Sequence, residues 1–245
     1  LQSKAEQDLR AYLRPRLKTL GYEDFFVVSP TPRVLASNVD QTLGRPIDGY
    51  RKEFYQHVLT DGPKVSKPYR SPLILANEHG QLKADLPTMS AAAPILDENG
   101  KAIAILALRI RPEASFTDIL HVARLGDSGE TYAFDRNGLL LSQCRFDDEL
   151  KRIGLLTDQP ESKSILTVEV RDPQVDMTTG ARPTLKRSDQ PLTPLIQKAI
   201  DGKGGVDAHG HRDYRGVPSV GASTWLPGYE FGVATEIGLE EAYRP

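Results

Sequence analysis

Cysteine is nearly missing from the 245 residues: Cys144 stands alone, so neither an intrachain disulfide nor a multi-cysteine metal site can form. Charge of one sign is lacking as well. With 31 Lys and Arg against 33 Asp and Glu, the net charge of −2 gives no basic stripe for nucleic acid and no strong pull toward anionic membranes. Long apolar runs are absent. The longest, "AIAILAL" at Ala102–Leu108, is far too short to span a bilayer, and no signal peptide opens the chain. No Gly-rich phosphate loop follows a strand, which leaves nucleotide binding without support. What is present is ordinary for a globular protein, 39% apolar and 26% charged residues. The length suffices for one large domain or two of about 120 residues.

The ends are helical in pattern. Leu1, Ala5, Leu9, Leu13, Leu17 and Leu20 fall near one stripe and predict a helix over residues 1–21, with no capping residue ahead of it. "GLEEAYRP" at the other end is a second helix-prone segment. Two helical ends without natural boundaries point to a domain taken from something longer.

Between them an internal repeat emerges. "DFFVVSPTPRVLAS" (Asp24–Ser37) reads as strand, turn with Pro30 and Pro32, strand; "ETYAFDRNGLLLSQ" (Glu130–Gln143) has the same shape around Asn137-Gly138. Phe26 and Val28 then correspond to Tyr132 and Phe134, and Ser37 to Ser142. A closing hairpin follows each: "AAAPILDENGKAIAILALRI" (Ala91–Ile110) and "VGASTWLPGYEFGVATEI" (Val220–Ile237), an alignment that places Arg109 opposite Glu236. The first middle holds the amphipathic helix "GYRKEFYQHVL" and the strand candidate "KVSKPYRSPLIL". The second holds the strand-like "SILTVEV" and the short helix "LTPLIQKAI". "RPEASFTDILHVARL" joins the units, with Pro112 at a helix start. The predicted organisation is a stalk helix 1–21, a subdomain 22–111, a connecting helix 112–126, a second subdomain 127–238 and an exit helix 239–245.

Three stretches carry chemistry. The tetrad Gly-Asp-Ser-Gly before Glu130 surrounds the nucleophile of trypsin-like proteases, but here Glu130 follows instead of glycine and the chain has one cysteine. A tight turn is the reading preferred over nucleophilic catalysis by Ser128. "DAHGHRD" (Asp207–Asp213) sets His209 and His211 two apart, so on a regular strand both face one way and could join Asp213 on a metal. A solvated, glycine-rich hairpin is the preferred reading there. Strand Ala102–Ile110 is apolar on both faces and therefore central. Arg109 at its end shares the face of Ile103, Ile105 and Ala107, and a buried guanidinium needs a carboxylate. That partner is either internal, with Glu53 or Asp85 as candidates, or a ligand.

The closing segments "APILDENGKAIAILALRI" and "DYRGVPSVGASTWLPGYEFGVATEI", in their order and duplication, resemble the double-Cache family of extracytoplasmic sensor domains of bacterial receptors. The resemblance covers essentially the whole chain. It implies an α+β fold, with a long N-terminal helix and two tandem PAS-like subdomains, each an antiparallel sheet flanked by helices, and a ligand in the first, membrane-distal one. It also implies a small-molecule partner, a periplasmic or extracellular location, attachment to the membrane only through flanking segments, no catalysis and no cofactor. The family's amino-acid-binding pattern falls on Lys52, Phe54 and Tyr55 in "KEFY", on Tyr69 and Ser71 in "PYRS", on Ser90 before the Ala-Pro strand, and on Arg109. Both aspartates that hold the ligand's ammonium in that pattern are replaced, by Ser71 and Arg109. The substitution implies an organic anion, gripped by Lys52 and Arg109 facing each other across the pocket. Trp225, Tyr229 and Glu236 in the second subdomain are expected to transmit or brace. The N-terminal stripe would serve a homodimer or bury itself against the chain's own sheets. A free periplasmic solute-binding protein is the alternative function, and a hydrolase using Ser128 or a His209–His211 metal the third.

Overall fold

The computed structural model describes residues 3–77 and 79–244; Leu1 and Pro245, which belong to the predicted end helices, lie outside the described residues. The chain forms two compact units, Leu1–Lys67 with Leu75–Arg111, and Pro68–Ile74 with Pro112–Pro245.

In the first stretch come α1 (Lys4–Leu20), β1 (Asp24–Val28), β2 (Val34–Ser37), α2 (Tyr50–Asp61) and β3 (Lys64–Val65). The two-residue strands β4 (Tyr69–Arg70), β5 (Leu75–Ala76) and β6 (Leu82–Lys83) follow, then the long hairpin β7 (Pro87–Leu96) and β8 (Ala102–Ile110). The expected strand over Lys64–Leu75 is thus broken into short pieces around Pro68, which has no N–H to donate to a ladder. The first unit's sheet runs β2-β1-β8-β7-β3, with antiparallel pairing throughout.

β8 lies in the middle of this sheet, and alternation gives it two buried faces. Ile105 and Ala107 pack with Phe54, Tyr55 and Val58 of α2. Leu106 and Leu108 pack with Leu9, Leu13 and Leu17 of α1, around the fully buried Phe25. The leucine stripe of α1 therefore covers its own sheet, and fully burying a residue such as Leu17 contributes roughly 1.5–3 kcal/mol. Leu20 leaves the stripe and is exposed. Contrary to expectation, α1 has a start signal: Ser3 Oγ accepts from the Glu6 N–H at 3.2 Å, an N-cap hidden two residues inside the chain. Gly21, at φ +76°, closes the helix in the left-handed conformation.

The second unit holds α3 (Phe116–His121), β9 (Glu130–Phe134), α4 (Asp147–Arg152), α5 (Pro194–Ile200), β10 (Gly205–Arg212), β11 (Pro218–Leu226), β12 (Phe231–Gly238) and α6 (Leu239–Ala242). Its antiparallel sheet runs β10-β11-β12-β9, the same order as β3-β7-β8-β1 of the first unit. One face packs Tyr132, Phe134 and Ala234 against Leu150, Leu195 and Ile196 of α4 and α5. The other packs Ala133 and Phe231 against Phe116 and Leu120 of α3, with Phe116 and Phe231 edge to face at 5.5 Å. The predicted strand in "SILTVEV" does not form. Leu166 takes φ +53° and the N–H groups of Thr167 and Val168 return to Ser164 O. An isolated bridge, Leu139↔Glu169, and a hydrogen bond from the Leu166 N–H to Leu140 O at 2.7 Å join this segment to the hairpin after β9.

Candidate functional site

Register builds a polar row across the first unit's sheet. Asp24 of β1 lies opposite Arg109 of β8, and Ser90 of β7 lies opposite Arg109 on the other side. Cross-strand partners share a face, and two residues farther along that face is the row Phe26, Ala107 and Ala92, against which Phe54 and Tyr55 pack. Arg109, 7% exposed, donates from Nε to Asp24 Oδ2 at 2.8 Å and from Nη2 to Glu23 Oε2 at a longer 3.4 Å. Glu23 is shared with Arg111. Burial pushes the Asp24 carboxyl above its usual range, and the Arg109 charge and hydrogen bond only partly offset this.

The internal partners of Arg109 are therefore Asp24 and Glu23, where the sequence suggested Glu53 or Asp85. They lie more than eighty positions upstream, and only the pairing of β1 with β8 brings them there. On α2 the buried residues Phe54, Tyr55 and Val58 follow helical spacing, whereas Lys52 falls off that stripe and is exposed. The charges in contact with Arg109 are the carboxylates of Asp24 and Glu23, and the cation that shares Glu23 with it is Arg111, not Lys52. The Phe54 and Tyr55 rings stand 5.3 Å apart, with Tyr50 and Phe54 at 6.3 Å. Ser90 is buried at 2% exposure, and its N–H donates to Ser66 Oγ at 2.9 Å. Tyr69 and Ser71 sit in Pro68–Ile74, the segment that clusters with the second unit. Ser71 Oγ accepts from the Leu73 N–H. Next to it Arg70 donates to Leu166 O at 2.6 Å and Thr167 Oγ1 at 3.1 Å.

The equivalent row of the second unit reads Gly221, Glu236 and Glu130, in the places of Ser90, Arg109 and Asp24. β10 extends it by Asp207, opposite Gly221. Glu236 Oε1 contacts His211 Nε2 at 2.6 Å and Glu236 Oε2 accepts from Tyr132 OH at 2.7 Å. Glu130 Oε1 accepts from Tyr214 OH at 2.5 Å and Oε2 from the Arg145 N–H at 3.1 Å. Glu130 and His211 were not singled out together by sequence, although extending the repeat alignment from Phe26–Tyr132 by two residues pairs Asp24 with Glu130.

His209 and His211 do not face the same way. The register slips between Asp207 and His211, where Gly210 takes φ +99°. This bulge breaks the alternation that a shared metal would require. His209 is exposed and His211 buried, so the solvated-hairpin reading also fails at His211. Among the described residues no cluster of three or more His, Cys, Asp or Glu is arranged to hold a metal ion. Ser128 donates to the carboxylate of Glu241 in α6 and accepts from the Gly238 N–H at 3.0 Å. The Asp127 and Ser128 N–H groups bind the same carboxylate, each at 2.8 Å, which holds the Glu241 pKa down at about 2. The Gly-Asp-Ser-Gly loop is a carboxylate clasp for α6. At Gly126, φ +56°, a Cβ would lie 2.0 Å from Glu241 Oε1, so the glycine is what lets the carboxylate in.

No protein-family profile and no curated protein sequence matches the chain. Solved structures do. The ligand-binding domain of the Pseudomonas aeruginosa PAO1 amino-acid chemoreceptor PctB, in complex with L-Arg, superposes with a TM-score of 0.54 at 10% identity, over 98% of this chain and 81% of its own. That of the Campylobacter jejuni chemoreceptor Tlp3, in complex with L-norvaline, gives 0.54 at 13% identity over 100% and 77%. The extracellular domain assigned to the histidine kinase mmHK1S-Z3 gives 0.51 at 14% identity over 97% and 80%. The chain thus has the double-Cache fold of the extracellular ligand-binding domains of histidine kinases and chemoreceptors.

Proposed function

We propose that this chain is the extracytoplasmic ligand-sensing domain of a membrane-anchored signalling receptor, and that its first unit takes a small carboxylate-bearing molecule. The observation that carries the reading is Arg109: a buried guanidinium on the aromatic-covered face of a central strand, with one firm carboxylate contact and one long one. A ligand carboxylate could take the Nη side while Asp24 keeps Nε, since a guanidinium offers five donors. The structural neighbours PctB and Tlp3 are described with L-Arg, L-Gln and L-norvaline, all of which bear a carboxylate. Asp24 adds something the substitution of the family's aspartates had removed, an acid within the row that can receive an ammonium group. Phe54, Tyr55 and Ser90 complete the site proposed in this unit.

Signalling would follow from differential affinity: a ligand that binds one arrangement of the β1–β8–β7 row better shifts the population toward it. No helix among the described residues is long and apolar enough to cross a membrane, so the attachment proposed lies in flanking segments.

The test is a thermal-shift and calorimetric screen against monocarboxylates, dicarboxylates, α-amino acids and amines, with Arg109→Lys alongside. A ligand at a hundred times its dissociation constant stabilises by about 2.7 kcal/mol, roughly 5–10 °C for a chain of this size. Carboxylate or amino-acid hits that weaken at least tenfold in Arg109→Lys are expected. Hits confined to amines, or carboxylate hits indifferent to Arg109→Lys, overturn the assignment.

A further inference from the structure

The second unit's row is unusual for a protein interior. Reading across four strands it carries Asp207, Gly221, Glu236 and Glu130, three carboxylates and a residue with no side chain. Like charges directly opposite each other are destabilising in a sheet, and Glu130 and Glu236 are opposite, at 2% and 3% exposure. The fold makes room for them deliberately. A Cβ on Gly221 would lie 2.4 Å from Thr235 O and 3.0 Å from Glu236 Cγ, so only glycine fits beside that acid. The bulge at Gly210 then sets His211 between two acids, with Nε2 2.6 Å from Glu236 and Nδ1 3.5 Å from Asp207 Oδ2.

The charges do not balance within the cluster. His211 neutralises Glu236 only when its imidazole is protonated, and Lys198 stands 3.5 Å from Asp207. Arg215 is already committed to Asp213 and Glu149. Glu130 also faces Tyr132, Tyr214, Glu236, Cys144, Arg124 and Arg215, but among the described residues no Lys or Arg forms an ion pair with it. Burial raises the Glu130 pKa to about 7, with the Tyr214 and Arg145 hydrogen bonds acting against the rise. Burial opposes the charged form of His211, but Glu236, Asp207 and Asp213 outweigh it and raise its pKa.

We propose that Glu130, Glu236 and His211 form a proton-binding site in the second unit, in which Glu130 gains a proton as the surroundings turn from mildly alkaline to mildly acidic. The proton breaks the repulsion within the Glu130–Glu236 pair. Protonated Glu130 has an O–H to donate, and Tyr214 OH, now its donor, becomes the acceptor. The consequence reaches α6 through Arg145, whose backbone N–H binds Glu130 while its guanidinium donates to Gly126 O at 2.9 Å and Gly129 O at 2.8 Å. That is the loop that clasps Glu241.

The experiment is a carbon-13 carboxyl NMR titration of the full chain between about pH 5 and 9, with signals assigned through bonds in the unsubstituted protein and checked in Glu130→Gln. Expected is one glutamate carboxyl with a midpoint near neutrality, assigned to Glu130. The amide signals of Gly126–Gly129 and α6 should move with the same midpoint, and this shared transition should vanish in Glu130→Gln. A Glu130 carboxyl that finishes titrating in the ordinary glutamate range, or stays in one form throughout, overturns the proposal. So does a neutral midpoint that belongs to Glu236. Because the assignment is made in the unsubstituted chain, failure of Glu130→Gln to fold leaves the test intact.

Discussion

The proton site predicts a stability that rises as the solution is acidified through neutrality, and its size can be worked out. A carboxyl that ionises near 4.5 in the unfolded chain and at about 7 in the folded one binds its proton more tightly when folded. Its stabilisation is complete below the unfolded value and lost as pH rises through the folded one. The whole effect is at most about 3 kcal/mol, and the portion falling between pH 8 and 6 is about 1 kcal/mol. His211, also raised, adds in the same direction. The lowered carboxyls Asp207 and Glu241 act oppositely, but only where pH falls toward their own values, outside this window. For a chain of this length the Glu130 share raises Tm by roughly 2–4 °C on going from pH 8 to 6. Differential scanning calorimetry in a single buffer series, with Glu130→Gln alongside, measures it. The substituted chain should show a flatter slope by about that amount. Identical slopes in the two proteins would refute the reasoning, whatever their absolute stabilities.

Other outcomes follow from the same geometry. Arg109→Ala strands the carboxylate of Asp24, while Glu23 keeps Arg111, and should cost about 3–5 kcal/mol, read as an early loss of the first unit in denaturant unfolding; a cost under about 1 kcal/mol would mean the guanidinium is not paired in solution. Gly221→Ala forces a Cβ into Thr235 O and should lower stability by about 1–3 kcal/mol, checked by urea unfolding, with a neutral result counting against the close β11–β12 packing. Glu241→Gln should speed amide exchange in Leu239–Ala242 while leaving β9–β12 protected. Equal acceleration in the strands would show that the clasp is part of the core.

The hairpins were legible because each carries its own punctuation. Pro30 and Pro32, Asn99-Gly100 and Pro227-Gly228 mark turns, and the residues between them alternate or run apolar; Phe26 does pair with Ser37. The stripe of α2 was legible for a similar reason, since helical spacing is local. The partners of Arg109 were not, because nothing near residue 109 reveals which strand lies alongside. Lys52 illustrates the limit of motif transfer: two positions from Phe54 on a helix is nearly the opposite side. Glu130 was obscured by its neighbours, since an acid after Gly-Asp-Ser-Gly looks like part of a solvated turn. His211 was obscured by a bulge, although Gly210 was its visible sign. The one sequence signal that did reach the second row was the repeat itself, which set Arg109 against Glu236.

The clasp on Glu241 has a mechanical consequence. α6 is fastened at this point by hydrogen bonds that converge on one half-buried carboxylate, so they fail together or hold together. Such a joint is stiff to small displacements and brittle to larger ones. None of the groups that form it belongs to either of the second unit's apolar clusters. Substitution at Glu241 therefore acts on α6 without removing a member of either apolar cluster.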